Sequence, residues 1–366
     1  MESISEKHVL NGRNQIFLIV ILTISTFALA LFSMGLGSSS QLDMFSTMKI
    51  IFDREQYSCL KEWFVLFGDR TQFPCNQDLQ SQIVWNLRFP RIMMGIITGV
   101  ALATAGALMQ GCLGNPLVSP LTLGVASGAA LGAAFAIVLN LSFIPIPELA
   151  IVANAFLFSL IVVGIIIQLG NMRSISAESY ILVGIAITFI AGAIVSTMQY
   201  FATDAQLSQL AHWSFGSLSR PDLGNTIWIG LAIVWLLPTV FKWAWDLNTL
   251  SLGGDEFAIS TGVEPVSTRR NILIFSALMT SIVISFTGLI GFVGLAAPHM
   301  SRLLIGNDYR KLIPCSAVFG AFLVVFADTV GRTLFAPIVI PVGIMLSIIG
   351  GPFFMYLLLQ NRGHAH

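Results

Sequence analysis

Apolar stretches of about 20 residues, almost free of charge, follow one another along this chain. A helix needs roughly that length of mainly apolar residues to cross the hydrocarbon core of a bilayer. Charged residues make up 10% of the chain, whereas a soluble domain usually carries about 25%. The pattern predicts an all-α, polytopic membrane protein, a single domain over residues 1–366 with about ten transmembrane helices. The candidate spans are about 16–36, 92–112, 121–140, 149–170, 180–201, 225–241, 272–290, 290–305, 312–332 and 338–359.

The seventh and eighth spans are nearly continuous in the sequence. We divide them at Gly288-Leu289-Ile290-Gly291, because a single helix of that length would overrun the bilayer. Further on, Pro298 lacks a backbone N–H, so it is expected to kink or end the eighth helix. Such interruptions are tolerated in a membrane where protein or a cavity shields the backbone.

Glycine is abundant (32 residues) and is spread through the apolar stretches rather than confined to turns. Small residues let transmembrane helices approach one another closely. The run from Gly124 to Gly132 repeats a small-xxx-small pattern twice on one helix face. We therefore expect the third span to pack closely against a neighbouring helix.

The orientation of the chain depends on its polar segments. An even number of spans places both termini on one side, and we expect the first apolar run to be a retained anchor, because no small-residue cleavage site follows it closely. With the termini in the cytoplasm, ten Lys and Arg residues lie on the cytoplasmic side and eight outside, six of them within 37–91. Charge therefore favours cytoplasmic termini by a small margin.

One large polar insertion, at about 37–87, separates the first two spans. It contains Cys59 and Cys75, which could form a disulfide bridge if the insertion faces an oxidising compartment. Two unpaired thiols are the alternative. Cys112 and Cys315 lie at the ends of spans, and we expect them to be packing residues.

The spans contain almost no ionisable side chains at mid-depth, where such residues usually mark proton relays and ion sites. Asp328 and Arg332 are exceptions near one span end, four residues apart on one helical face. The sequence also lacks a GxxxxGK[ST] phosphate loop and the HExxH and GxSxG motifs. We predict that the chain is not an enzyme and has no catalytic residues, metal site or cofactor. Basic and acidic residues balance, 18 against 18, so no nucleic-acid partner is expected.

A short cationic segment, Arg88-Phe89-Pro90-Arg91, stands directly before the second span. It places one cation on each side of a Phe-Pro turn, and such a pair of cations is suited to binding carboxylates. The alternative is a pair of interfacial anchors whose charges reach the lipid headgroups.

A second segment with a distinctive pattern lies within the polar stretch 242–270. A Gly-Gly pair and two acidic residues open a short, partly apolar run there. A short helix of this kind could insert its apolar side into a groove on a partner protein. An ordinary solvated loop helix is the alternative. The run comprises Leu252, Gly253, Gly254, Asp255, Glu256 and Phe257 and is stopped near Gly262.

From about residue 85 to the C-terminus, a series of motifs resembles those of one family. It is the BtuC-like (FecCD) family of membrane permeases, which import ferric siderophores, haem and cobalamin with ABC ATPases. Each motif alone is weak, but their order and spacing together are specific. The motifs are RFPR at 88–91, GALMQ at 106–110, NPLVSPLTLG at 115–124, GFVGLAAPHMSR at 291–302, ADTVGR at 327–332 and IPVGI at 340–344.

The resemblance implies the BtuC-like (type II) ABC importer permease fold, with both termini in the cytoplasm of a prokaryote and the chain in its cytoplasmic (inner) membrane, in contact with lipid. It implies a second permease subunit, identical or different, and two ABC ATPase subunits on the cytoplasmic face. An extracytoplasmic substrate-binding protein would dock on the other face. At the positions that match Arg88, Arg91 and Arg332, arginines of the family meet acidic residues of that binding protein. The stretch that matches 252–264 is the coupling helix that fits a cleft in the ATPase.

The function implied by the resemblance is ATP-driven import of a metal chelate, most often a ferric siderophore. Haem, cobalamin and molybdate are the alternatives within the family, and a secondary carrier or a membrane-bound enzyme are the alternatives outside it. The chain departs from the family in two respects. Its 37–91 segment is longer and has no matching motif, and Gly253-Gly254 stands where a single glycine is expected. The second departure leaves the register of the coupling helix open by one residue.

Overall fold

The computed structural model describes residues 4–36, 44–52, 79–171 and 177–361, and every regular element within these ranges is a helix. The expected all-α fold is confirmed. The helices are α1 (Ile4–Gly35), α2 (Met44–Ile51), α3 (Leu79–Gln82), a π-helical turn (Ile83–Arg88), α4 (Phe89–Cys112), α5 (Val125–Val138), α6 (Pro147–Asn171), α7 (Ala177–Phe201), α8 (Asp204–Ser214), α9 (Leu223–Phe241), α10 (Ala244–Ser260), α11 (Pro265–Thr287), α12 (Val293–Ile305), α13 (Tyr309–Thr333) and α14 (Val342–Asn361).

Each predicted span coincides with a helix, and the division at 288–291 falls between α11 and α12. In the described ranges, seven helices are long and apolar enough to cross a membrane. They are α1, α4 with the helical turns before it, α6, α7, α9, α11 and α13. α5 and α12 have only 14 and 13 residues. At about 1.5 Å per residue they are shorter than a hydrocarbon core of roughly 30 Å.

α4 lies at the centre of the fold, and every residue from Ala101 to Cys112 is buried. Two of its glycines bring neighbouring backbones into direct contact. Gly99 lies against the backbone of Gly320 in α13, and Gly106 lies against the backbone of Gly294 in α12. Side chains at these two positions would hold the helices apart.

The glycines of α5 explain how this short helix packs. Gly128 lies against the backbone at Ser159, and Gly132 lies against the carbonyl of Asn154, both in α6. The close approach predicted from the small-residue pattern is confirmed.

α12 continues through Pro298 and does not end there. The proline removes the helix hydrogen bond that the carbonyl of Gly294 would otherwise accept. The Gln110 side chain of α4 supplies a replacement, because its Nε2 donates to Gly294 O at 3.3 Å. Arg302 Nη1 donates to Gln110 Oε1 at 2.6 Å and orients this amide. A neighbouring helix thus satisfies the backbone group that the proline leaves free, as a membrane interior requires.

The two ends of α4 define two faces of the molecule. At its start, Arg88 donates to Met34 O at the end of α1; we call this side the arginine face. At its end, the carbonyl of Cys112 accepts from Arg269 of α11; we call this side the α10 face, because α10 precedes α11 there. Gln15, near the start of α1, contacts the end of α12 on the α10 face.

Replacing Gly106 with alanine should force α4 and α12 apart, because the added methyl group would overlap the backbone of Gly294. Overpacking a well-packed interior typically costs about 1–3 kcal/mol. The melting temperature of the detergent-solubilised protein should therefore fall. Gly164→Ala in α6 is the matched control, because among the described residues no heavy atom beyond its own helix backbone lies within 4 Å of its added Cβ. Equal melting temperatures for the two variants would contradict the close packing at Gly106.

Candidate functional site

The start of α4 brings Arg88 and Arg91 to the arginine face. The π-helical turn Ile83–Arg88 runs directly into α4, which begins at Phe89. Pro90 cannot donate a helix hydrogen bond, and its ring crowds the carbonyl one turn earlier. The wider π-helical turn leaves room for that ring. The prediction of a Phe-Pro turn is therefore wrong. The two arginines project from continuous helical backbone.

Arg91 and Arg332 share one carboxylate, that of Asp328. Its Oδ1 accepts from Nε and Nη2 of Arg91 at 3.0 and 2.8 Å, and its Oδ2 accepts from Nε of Arg332 at 3.0 Å. Arg91 Nη1 also donates to Ser219 Oγ at 2.7 Å. Charge-assisted contacts of this kind are short and directional, so they fix both guanidinium groups. The shared helical face predicted for Asp328 and Arg332 is confirmed as an ion pair.

The end of α1 provides further hydrogen-bond acceptors for Arg332 and Arg88. Arg332 Nη1 donates to Leu36 O at 2.9 Å and its Nη2 donates to Ser33 Oγ. Arg88 Nη1 donates to Met34 O at 2.8 Å. The last carbonyls of a helix lack intrahelical partners and carry the negative end of its dipole, which suits cations. Arg88 and Arg332 are only 5% and 7% exposed.

A cavity of about 360 Å³ opens beside the three arginines, and Arg88, Arg91 and Arg332 all line it. Among the described residues, three guanidinium groups meet one carboxylate there, that of Asp328, which leaves an excess of positive charge within this part of the chain. Nη2 of Arg88 is buried and has no hydrogen-bond partner among the described residues. The cavity is therefore suited to a carboxylate.

The structure brings the three predicted docking arginines together, but it places two of them inside the fold rather than at its surface. Their role in docking stays a prediction. Neither Ser219 nor the carbonyls at the end of α1 had been predicted as partners of the arginines. Hydrogen bonds to backbone carbonyls leave no residue-type signal, so no motif could have revealed them.

α10 is broken at Gly254, whose φ of 70° and ψ of −160° are not helical. This left-handed φ favours glycine, which has no Cβ to clash. We call residues 244–253 the proximal piece and residues 255–260 the distal piece. The distal piece starts at Asp255, so Gly254 is the glycine that directly precedes the acidic residue. The register of the stretch relative to the family's coupling helix stays a prediction.

Gly262 ends the distal piece in a left-handed conformation, with φ of 85°. Its N–H donates to Ile259 O at 3.0 Å, and the N–H of Val263 donates to Ala258 O at 2.9 Å. This pair of bonds is the Schellman motif, which satisfies the last carbonyls of a helix. The stop predicted near Gly262 is confirmed.

Large apolar side chains are exposed around the break in α10. Leu252 is 79% exposed, Ile259 60% and Phe257 43%. Gly253 lies directly beneath the Phe257 side chain, where an added Cβ would overlap it. Clusters of exposed apolar residues commonly mark protein–protein contact sites.

The two acidic residues of the stretch differ in their surroundings. The side chain of Asp255 accepts from Nη1 of Arg269 at 2.7 Å and also from its Nη2. Glu256 is exposed. The pairing was not predicted, because Asp255 and Arg269 lie 14 positions apart on two different helices.

The proximal piece is anchored to the start of α13. Asn248 Nδ2 donates to Asp308 Oδ1 at 2.9 Å, and the N–H of Tyr309 donates to Asn248 Oδ1 at 2.8 Å. Hydrogen bonds from the Arg310 side chain lower the pKa of Asp308 to about 2, so this anchor stays charged at neutral pH. A cavity of about 1030 Å³ lies between the proximal piece and the residues around Asp308.

Cys59 and Cys75 lie outside the described residues, so their disulfide bridge stays a prediction. Cys112 and Cys315 are buried and free, as expected of packing residues. In the described ranges, no group of His, Cys, Asp and Glu residues could hold a metal ion.

Comparison with known proteins identifies the family. The FecCD transport family matches residues 16–360. The hemin transport system permease of Yersinia pestis is 39% identical over 76% of this chain and 84% of its own. The vitamin B12 import system permease of Vibrio vulnificus is 33% identical over 79% of this chain and 86% of its own.

The fold is also similar to that of a solved metal-chelate type ABC transporter in an inward-facing conformation. The TM-score is 0.77 at 26% identity, and the match covers 94% of this chain and 99% of the other. The chain therefore belongs to the FecCD transport family and is a multi-pass membrane permease.

Replacing Asp328 with asparagine should destabilise the arginine face, because Arg91 and Arg332 would lose their shared counter-charge. Removing one member of a buried ion pair typically costs about 3–5 kcal/mol. The melting temperature of the detergent-solubilised protein should therefore fall well below that of Ser219→Ala. That control removes one hydrogen bond to Arg91, worth about 1 kcal/mol, and leaves both ion pairs. Equal stability of the two variants would contradict a structural role for the shared carboxylate.

Proposed function

We propose that this member of the FecCD transport family is the transmembrane permease subunit of an ABC importer for a metal chelate. In this proposal a partner ATPase hydrolyses ATP, and the chelate passes through the permease without covalent chemistry. One observation carries the proposal, namely two unlike surfaces at opposite ends of one buried helix. The arginine face of α4 has a cationic cavity, and the α10 face has an exposed apolar helix end. A self-contained carrier would need neither surface.

A ferric siderophore is the cargo that we propose. The relatives are named for the transport of hemin and of vitamin B12, and both compounds are metal chelates. These names support the class of cargo. Haem, cobalamin and molybdate are the alternative cargoes.

In the proposed assembly the α10 face is cytoplasmic, with both termini on that side. The insertion at about 37–87 is on the extracytoplasmic side of the membrane. Two ATPase subunits bind the α10 face, and an extracytoplasmic substrate-binding protein binds the arginine face. A second permease subunit, identical or different, completes the translocation pathway. The apolar surface of the spans faces that subunit or the lipid.

We place docking of the binding protein at the arginine-lined cavity. A carboxylate that enters the cavity would meet Arg91, and the buried Arg88 forms part of the cavity wall. Arg332 helps to hold Arg91 in position, because both arginines bind the carboxylate of Asp328. This assigns the three arginines different parts in docking, although they were predicted as one set.

A negative charge at the mouth of the cavity should therefore weaken docking. Leu87 lines the cavity and is 65% exposed, so Leu87→Glu adds a carboxylate without breaking an internal ion pair. Like charges across an interface are unfavourable, and we expect affinity for the binding protein to fall roughly tenfold at low salt.

Leu79→Glu is the matched control, because Leu79 is exposed in α3 and lies outside the cavity lining. Affinity is measured by surface plasmon resonance on the detergent-solubilised chain. The loss at Leu87 should shrink as salt is raised, since screening weakens exposed charge interactions. Equal affinities for the two variants at low salt would contradict docking at this cavity.

The exposed apolar side chains of Leu252, Phe257 and Ile259 on α10 should be needed for association with the ATPase. Replacing Leu252 and Ile259 together with serine removes two exposed apolar side chains from the expected interface. Central apolar contacts dominate the energy of many interfaces, so ATPase affinity should fall roughly tenfold or more.

Val266→Ser is the control, because Val266 is similarly exposed near the start of α11, outside the 252–262 stretch. Association is measured by co-purification and by titration in detergent, and docking of the binding protein should be unchanged in both proteins. ATPase association that survives the double substitution would refute the assignment of this cluster.

A further inference from the structure

The carbonyl at the end of α4 is held by a charged side chain from another helix. The last carbonyls of a helix have no intrahelical donor, so they must find partners elsewhere. Cys112 is the last residue of α4, and its carbonyl accepts from Nε of Arg269 at 2.8 Å. Arg269 lies near the start of α11 and is 7% exposed. The end of α4 is therefore fixed to α11 through one buried guanidinium group.

The same guanidinium group also holds the distal piece of α10. Its Nη1 and Nη2 donate to the two carboxylate oxygens of Asp255, the first residue after the break at Gly254. Within residues 255–261, the side-chain hydrogen bonds that lead to other parts of the described protein all go to Arg269. Arg269 thus connects the distal piece directly to α4.

The break at Gly254 divides α10 into two pieces with different anchors. The proximal piece is anchored to α13 through Asn248 and Asp308. A hinge residue with left-handed φ separates it from the distal piece. A displacement of the distal piece would therefore reach α4 through the hydrogen bonds of Arg269.

α4 is well suited to carry such a displacement to the arginine face. Its 24 residues extend over about 36 Å at 1.5 Å per residue, and backbone contacts at Gly99 and Gly106 hold it between α12 and α13. Arg91 lies in its first turn and pairs with Asp328. A shift at the Cys112 end therefore reaches the cationic cavity at the other end.

We propose that Arg269 is the positioning residue that couples the ATPase-binding segment to α4, through simultaneous bonds to Asp255 and the Cys112 carbonyl. The proposal rests on the proposed function, because it assumes that the distal piece binds an ATPase. It changes the part assigned to Asp255, which acts inside the permease and not as a contact with the ATPase. Arginine suits this role because its planar fork can donate to two partners in fixed directions.

Arg269→Lys is the first test, because lysine keeps the charge but cannot bridge both partners with fixed geometry. The variant is reconstituted in liposomes with the ATPase and the binding protein. ATPase affinity and basal hydrolysis should stay within about twofold of wild type. Stimulation of hydrolysis by the loaded binding protein should fall roughly fivefold or more, the usual lower range for coupling between sites, and uptake should fall with it.

Asp255→Asn and Asp255→Glu form the second test, which does not alter the buried arginine. The side chain of Asp255 is 47% exposed, so both variants should fold. Asparagine loses the charge and should lose stimulation, whereas glutamate can still reach the guanidinium group and should retain most of it. Loss of stimulation in Asp255→Asn with recovery in Asp255→Glu supports the tie through Arg269.

Two results would overturn the inference. Wild-type stimulation in both Arg269→Lys and Asp255→Asn would show that the tie carries no coupling. Loss of ATPase affinity in Asp255→Asn as large as in the Leu252 and Ile259 double variant would place Asp255 at the ATPase surface. Failure of the unsubstituted chain to bind an ATPase would instead contradict the proposed function, and the inference with it.

Discussion

Backbone contact at the glycines of α4 is the constraint on which the rest of the structure depends. Helices in a bilayer gain little from burying apolar surface against one another, so they must associate through close packing and polar contacts. Gly99 and Gly106 allow α4 to meet α13 and α12 backbone to backbone. A helix enclosed in this way cannot bend easily, and its two ends are mechanically linked.

The need to satisfy buried backbone groups explains where the polar side chains lie. On the arginine face, the carbonyls at the end of α1 accept from Arg332. On the α10 face, the Cys112 carbonyl accepts from Arg269. In the last turn of α4, Gln110 replaces the helix bond that Pro298 removes. Charged and amide groups therefore mark helix ends and interruptions, and both candidate partner surfaces form at helix ends.

The helices could be predicted from the sequence because apolar length is a local property. The pairing of Asp328 with Arg332 was also predictable, because a four-residue spacing places both on one helical face. The sharing of Asp328 with Arg91, 237 positions away, and the pairing of Asp255 with Arg269 depend on tertiary packing, which no local pattern reports. For the same reason the continuation of α12 through its proline could not be predicted, since the compensating side chain belongs to another helix.

Uptake into liposomes tests most directly whether a partner ATPase powers this chain. The purified chain is reconstituted alone or with its ATPase and binding protein, and accumulation of a radiolabelled ferric siderophore or of haemin is followed. We expect accumulation only with both partners and ATP, and none for the chain alone under a proton or sodium gradient. Accumulation by the chain alone under such a gradient would show that it does not depend on an ATPase.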